Sequence, residues 1–157
     1  MPLADLPDLA QVLAGRRRLL GLDVGTKTIG LALSDTSGMV ATPCETIRRG
    51  KFAADAERIA ALVAKEGVGG LVVGLPVSLD GSEGPRAQSV RQFAKNLLAH
   101  RDLPLAFWDE RLSTAAVERQ MIEADLSRRR RAAIIDRTAA AYIMQGLLDR
   151  LGRPPPS

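Results

Sequence analysis

The sequence is poor in the residues that form disulfides and zinc sites. Its 157 residues include one cysteine, Cys44, and one histidine, His100. A single cysteine excludes an intramolecular disulfide, and these two residues cannot supply the cysteine and histidine ligands of a zinc site. A metal site in this chain would therefore have to be built from carboxylates.

Aromatic residues are also scarce, at 3% of the chain. Most of them fall in segments that we predict to be buried. A stacking platform for single-stranded nucleic acid, which needs exposed aromatic rings, is therefore not expected. The full set is Phe52, Phe93, Phe107, Trp108 and Tyr142.

Long hydrophobic runs are missing as well. No stretch approaches the roughly 20 apolar residues of a membrane-spanning helix. Residues Met1–Gly15 contain Asp5 and Asp8 and lack the unbroken apolar core of a secretory signal. We therefore expect a soluble, cytoplasmic protein. A chain of 157 residues has the length of one domain and can form a substantial hydrophobic core.

The positive charge is concentrated in two arginine tracts. The formal net charge is +4, and Arg16–Arg18 with Arg128–Arg131 hold seven of the 22 basic residues. The guanidinium group stays charged and pairs bidentately with phosphate oxygens, so such tracts suit a nucleic-acid backbone. Either tract alone is equally compatible with a solvated basic loop.

The hydrophobic pattern predicts an α/β fold. Strands are expected at Leu19–Val24, Thr28–Ser34, Met39–Thr46, Gly70–Gly74 and Leu105–Trp108. Pro43 places the third strand at an edge. Helices are expected at Lys51–Glu66, Pro85–His100, Ser113–Glu123 and from about Ala132 to Leu151, with a basic loop at Asp125–Arg131. This order predicts a mixed sheet between two layers of helices, a three-layer sandwich.

The hydrophobic pattern and the composition divide the chain into three segments. Residues 1–15 form a short helical or loose extension, because Leu6, Leu9 and Leu13 have helical spacing. Residues 16–152 form the folded domain. Residues 153–157 are rich in proline and are predicted to be disordered.

Three carboxylates occupy unusual positions. Asp23 lies within an apolar strand, where an ionised group is costly unless a cation or donors compensate it. Glu110 directly follows the last strand, and Asp136 lies on the apolar stripe of the final helix with Ala140 and Ile143. Each has an ordinary alternative: Asp23 could cap a turn, and Glu110 and Asp136 could favour helix dipoles.

If the side chains of these three acids lie close together, we expect them to form a metal site. Ligands of open α/β sheets lie beyond the carboxyl ends of the strands, where Asp23 and Glu110 fall. Clustered carboxylates repel one another unless a cation is present, and Mg²⁺ or Mn²⁺ suits an all-oxygen site. Two such ions about 4 Å apart can activate water and stabilise a leaving oxygen, which is the chemistry of phosphodiester hydrolysis. Lys27, in the turn after Asp23, is a candidate phosphate contact, although an ordinary exposed lysine fits equally well.

Four ordered motifs between Arg18 and Leu151 resemble the YqgF family of bacterial ribonuclease-H-like proteins. Members of this family are described as candidate pre-16S rRNA nucleases or as Holliday-junction-resolvase-like proteins. The motif Asp-x-Gly-Thr alone is weak, whereas four motifs in the family's order are specific. They are Gly21–Gly30 with Ala32–Asp35, Val73–Pro76 with Asp80–Ser82, Asp109–Thr114, and Ile135–Asp136 with Ala139, Ala140 and Gln145.

The resemblance implies a ribonuclease-H-like fold with a five-stranded mixed sheet and helices on both faces. It maps the catalytic, metal-binding acids onto Asp23, Glu110 and Asp136. The expected function is Mg²⁺- or Mn²⁺-dependent cleavage of structured nucleic acid, with 5′-end processing of pre-16S rRNA ahead of resolution of branched DNA. Resolution of a junction would need a symmetric homodimer to make paired cuts. The candidate nucleic-acid contacts are Lys27, Arg111, Arg128, Arg129, Arg130 and Arg131.

Two other classes of protein stay open at this stage. An ATP-binding protein of the actin and sugar-kinase type also begins with Asp-x-Gly-Thr, but it needs two such domains to enclose the nucleotide. A non-catalytic RNA-binding module of the same fold would bind through its arginine tracts without cleavage. A fourth carboxylate, common in related nucleases, has Asp35 and Asp109 as candidates. Asp35 is expected to lie far from the site, and Asp109 to point away from Glu110.

Overall fold

The computed structural model describes residues 6–78, 80–109 and 128–152, and the side chains of residues 7–78, 80–109 and 139–151. Its elements follow one another along the chain as α1 (Leu6–Ala14), β1 (Arg18–Val24), β2 (Thr28–Ser34), β3 (Ala41–Arg48), α2 (Phe52–Glu66), β4 (Val68–Leu75), α3 (Pro85–His100), β5 (Leu105–Asp109) and α4 (Arg128–Gly152).

The strands form one five-stranded sheet in the order β3-β2-β1-β4-β5. β1 and β2 form an antiparallel hairpin that β3 extends, while β1, β4 and β5 are parallel. The predicted mixed sheet is thus confirmed, and β3, which contains Pro43, lies at an edge as expected. The register of β3 shifts opposite Leu31 and Ala32, next to this proline.

Two hydrophobic cores cover the two faces of the sheet, which confirms the three-layer sandwich. The first core lies between the sheet and helices α2 and α3, and the second between the sheet and helices α1 and α4. Alternating residues of a strand point to opposite faces. In β1, Leu20 and Leu22 accordingly belong to the first core and Leu19 to the second.

Helix α4 crosses the sheet with the apolar stripe that its sequence predicts. Ala140, Ile143 and Leu147 are all at most 1% exposed. Gly21 of β1 permits this close packing, since a Cβ atom there would lie 3.3 Å from the carbonyl oxygen of Ala140. The helix therefore rests almost directly on the backbone of the central strand.

The basic loop expected at Asp125–Arg131 is wrong over Arg128–Arg131. These four residues are helical, so α4 includes at least the four residues before Ala132. Arginine has a high helix propensity, and residues 128–145 contain neither glycine nor proline to end the helix. The helix predicted at Ser113–Glu123 and the tail at residues 153–157 lie outside the described residues.

Helix α1, within the predicted N-terminal extension, packs on the sheet. Leu9 is fully buried in the second core, with Val12 and Leu13 packed at its margin. Gly38 and Gly69 come close to this helix, because a Cβ atom on either would lie 2.9 Å from a side-chain atom of Leu13 or Val12. Helix α1 is therefore part of the core. No helix among the described residues is both long enough and apolar enough to cross a membrane.

Replacing Leu9 by alanine tests this packing. We expect Leu9→Ala to lower the free energy of unfolding by about 2 to 5 kcal/mol, since it removes a fully buried side chain and leaves a cavity. Urea denaturation measures the change. Gln11→Ala in the same helix is the matched control, because Gln11 is exposed. Equal stability of the two variants would show that α1 does not contribute to the core.

Candidate active site at the carboxyl edge of the sheet

Asp23 is a buried carboxylate near the end of the central strand. It is 2% exposed and pairs with Gly30 of β2. Val24 and Leu22 on either side of it belong to the first core, so strand alternation places Asp23 on the opposite face, which α4 covers. The predicted burial of this acid is confirmed.

The carboxyl ends of the three parallel strands meet at one edge of the sheet. Leu22 pairs with Val73, and Leu75 pairs with Asp109, so β1, β4 and β5 end at similar levels. Glu110 is the next residue after β5 in the sequence and, like Arg111, lies outside the described residues. Within β5, Trp108 lies in the second core, on the α4 side, and Asp109 takes the opposite face by alternation.

The backbone of Asp136 lies in α4, which runs antiparallel to β1. The side chain of Gln145 accepts a hydrogen bond from the amide of Ala41 and donates one to the carbonyl of Met39, beside the start of β1. Ala140, earlier in the helix, packs over Gly21. Residues that precede Ala140 in α4 therefore lie closer to the carboxyl edge of the sheet.

The turn after Asp23 depends on Gly25. Its amide donates a hydrogen bond of 2.8 Å to the carbonyl oxygen of Thr28. A Cβ atom on residue 25 would lie 2.9 Å from the same oxygen, closer than real contacts allow. Glycine is thus required for the tight return from β1 into β2, and this return leaves Lys27 exposed at the edge.

Two residues that the sequence analysis missed, Arg49 and Asp55, hold this turn in place. The Arg49 guanidinium donates a 2.7 Å hydrogen bond to the carbonyl of Gly25 and lies 5.2 Å from the ring centroid of Phe93. Its backbone amide donates to the carbonyl of Lys27 at 2.8 Å. The carboxylate of Asp55, 5% exposed, accepts the amide hydrogen of Gly50 next to Arg49.

The loop after β4 borders the same edge and is held by its own polar contacts. The Asp80 carboxylate accepts hydrogen bonds from the amide and the hydroxyl of Ser82, and Gly81 adopts a positive φ of 90°. A bidentate pair of Arg91 with Glu83 then fastens the loop to α3, and the Arg91 guanidinium stacks 4.8 Å from the ring of Phe107 in β5.

Asp35 lies at the opposite edge and does not belong to this site. It follows β2, whose end pairs with the start of β3. Its carboxylate accepts hydrogen bonds from the Ser37 hydroxyl and from the amides of Met39 and Val40. The Ser37 hydroxyl, more than the amides, lowers the pKa of this acid from 3.8 to about 2. Asp35 thus organises the β2–β3 loop, and its expected distance from the site is confirmed.

The described residues include only part of the predicted site. Asp23 is its one acid whose side chain is described, and within residues 6–78, 80–109 and 128–152 no three potential ligands cluster as a metal centre. The side chains of Asp136 and of Arg128–Arg131 lie outside the described set. Their convergence with Asp23 and Glu110 stays a prediction.

Comparison with known proteins identifies the family. Residues 17–150 match the model of the family described as "RuvX: Holliday junction resolvase". The chain belongs to this family. The match covers all four motifs and confirms the resemblance found from them.

RuvX-family relatives match over almost the whole chain. A protein of Paramagnetospirillum magneticum named "Putative pre-16S rRNA nuclease" is 62% identical, over 95% of this chain and 96% of its own length. A protein of Roseobacter denitrificans with the same name is 58% identical, over 96% and 94%. A solved structure titled "T. thermophilus RuvC in complex with Holliday junction substrate" has a TM-score of 0.54 at 11% identity, covering 87% of this chain and 96% of that one. This structural likeness confirms the ribonuclease-H-like fold.

Adding one methyl group to the turn after Asp23 tests its role. We expect Gly25→Ala to lower the free energy of unfolding by about 1 to 3 kcal/mol, since the new Cβ atom would collide with the Thr28 carbonyl. Chemical denaturation measures the change.

The control is Gly50→Ala, next to Arg49, where an added Cβ atom meets nothing within 4 Å. We expect it to change stability by less than about 0.5 kcal/mol. Two variants of equal stability would contradict the tight turn.

Proposed function

We propose that this chain is a divalent-metal-dependent nuclease that hydrolyses phosphodiester bonds in structured nucleic acid, and that processing of the 5′ end of pre-16S rRNA is its reaction. The observation that carries the proposal is the buried carboxylate of Asp23 at the carboxyl edge of the parallel strands. Burial of a charged group at this edge is costly for folding alone, so a cation or hydrogen-bond donors must compensate it.

The geometry of α4 and β1 supports the pairing of Asp136 with Asp23. Asp136 precedes Ala140 by four residues, or about 6 Å along a helix. Asp23 follows Gly21 by two residues, or about 6.6 Å along a strand. Because Ala140 and Met144 both pack on Gly21 and the two elements run in opposite directions, Asp136 would come near the level of Asp23 on the same face of the sheet.

Glu110 would complete the set from the adjacent parallel strands. It follows β5 directly, and it is two residues beyond Trp108, which faces α4. Three carboxylates from β1, the end of β5 and α4 form an all-oxygen donor set, which fits Mg²⁺ or Mn²⁺ better than zinc. Such ions, bound as a pair, would lower the pKa of a water nucleophile and stabilise the charge on the leaving oxygen.

The residues around the acids suit a phosphate backbone. Arg128–Arg131 are four consecutive residues of α4. Adjacent cations repel one another, and phosphate groups would relieve the repulsion. Lys27 is exposed in the turn after Asp23, and Arg111 follows Glu110 in the sequence. We propose these residues as substrate contacts.

The names of the relatives favour an rRNA precursor as the substrate. The description of the family favours a second candidate, a Holliday junction. Resolution of a junction needs two active sites in a symmetric dimer, whereas cleavage of a precursor needs one. Comparing an RNA stem that carries the precursor sequence with a four-way DNA junction, using one enzyme preparation, separates the two.

Cleavage of these two substrates tests the three acids. We expect Asp23→Asn, Glu110→Gln and Asp136→Asn each to lower the Mg²⁺-dependent cleavage rate at least about a hundredfold. Removing a residue that only hydrogen-bonds to a metal ligand already lowers metal affinity or activity about 10- to 100-fold. EDTA should abolish the activity of the wild type.

Glu57→Gln is the matched control, since Glu57 is an exposed acid on α2. Circular dichroism should show that all four variants stay folded. Full cleavage in EDTA or in any of the three acid variants would refute the metal site. Tight binding that persists in all three variants, with no cleavage by the wild type, would instead indicate a non-catalytic RNA-binding module.

A further inference from the structure

A second basic surface lies at the same edge of the sheet as Asp23. It consists of Lys27, Arg48, Arg49 and Lys51, here called the basic ridge. Arg48 pairs with Thr28, next to Lys27 in the chain, and the amide of Arg49 donates to the carbonyl of Lys27. The turn that contains Lys27 and the segment that follows β3, about 20 positions later in the sequence, thus lie next to each other.

The described part of the chain provides no ion-pair partner for the exposed charges of the basic ridge. Lys27, Arg48 and Lys51 are exposed, and none of them forms an ion pair with a described residue. Residues 46–54 contain no acid, and the carboxylate of Asp55 is buried against the amide of Gly50. An unpaired basic strip of this kind attracts a polyanion.

Three other arginines of the described surface form ion pairs. Arg18 pairs with Glu66, Arg58 with Glu45, and Arg91 with Glu83. The first two pairs join α2 to β1 and β3, and the third fastens the loop after β4. The exposed cations of the basic ridge have no such ion-pair partner among the described residues.

The distance between the basic ridge and Asp23 matches the spacing of a nucleic-acid strand. Asp23 pairs with Gly30, and Thr28, two residues away, pairs with Arg48. Two strand steps and two interstrand spacings place the Cα atoms of Asp23 and Arg48 about 12 Å apart. On one strand of a duplex, this is the axial rise of about three to four nucleotides.

We infer that the basic ridge binds the phosphodiester backbone of the substrate a few nucleotides from the bond that is cleaved. Lys27, Arg48 and Lys51 supply the exposed charges. Arg49 is a positioning residue, because its guanidinium is engaged by the Gly25 carbonyl and the Phe93 ring. This inference deepens the proposed function and rests on it for the identity of the cleaved bond. Binding itself can be tested without cleavage.

The test compares two double variants that remove the same charge. Arg48→Gln with Lys51→Gln alters the basic ridge, and Lys65→Gln with Lys95→Gln alters exposed lysines on α2 and α3. Lys27 and Arg49 stay unchanged, because one is already proposed as a contact and the other supports the turn. Binding of a precursor RNA stem and of a four-way DNA junction is measured in EDTA at several salt concentrations.

We expect the basic-ridge variant to bind about tenfold more weakly or worse at 0.1 M salt. The slope of log K against log salt should become shallower by about 1.8 for duplex DNA, or 0.9 for each lost phosphate contact. The control variant should keep the wild-type slope. A loss confined to one probe would support the inference and identify the nucleic acid that lies on the basic ridge.

Equal slopes in the wild type and both variants would overturn the inference. Equal losses in the two variants would overturn it too, because they would show a general effect of net charge. Absence of cleavage by the wild type would refute the nuclease alone, since the binding measurement does not depend on it.

Discussion

The side chain of Asp23, 2% exposed at the end of the central strand, imposes the constraint on which the candidate site depends. A carboxylate cannot be buried there at low cost without a cation or hydrogen-bond donors. The sheet order determines what can approach it: β4 and β5 end beside β1, and α4 passes over the same face. Asp23 thus lies at the edge where β4 and β5 also end and on the face that α4 covers.

The surroundings of Asp23 are built to keep its position fixed. Gly25 allows the chain to return at once into β2, and Arg49 fastens the turn to the end of β3 and to the ring of Phe93. Close packing of α4 on Gly21 fixes the helix that carries Asp136. Sites supported by rigid elements hold their ligands more accurately than sites carried on loops.

Much of this arrangement follows from local sequence patterns. Period-2 and helical hydrophobic spacing predict the five strands and the buried stripe of α4, because burial imposes these periods directly. Arg49 was missed because its partners, Gly25 and Phe93, are distant in sequence and only the fold brings them together. The helical state of Arg128–Arg131 does not follow from the charge pattern, because a run of charge is typical of a solvated loop although arginine also favours helices.

The central claim is that Asp23, Glu110 and Asp136 bind divalent metal together, and Mn²⁺ binding tests it most directly. Electron paramagnetic resonance of free Mn²⁺ measures how much of the ion the protein takes up, independently of any substrate. The account predicts that the wild type binds Mn²⁺ and that Asp23→Asn, Glu110→Gln and Asp136→Asn each weaken binding strongly, while Glu57→Gln does not. Unchanged Mn²⁺ binding in the folded acid variants would contradict it.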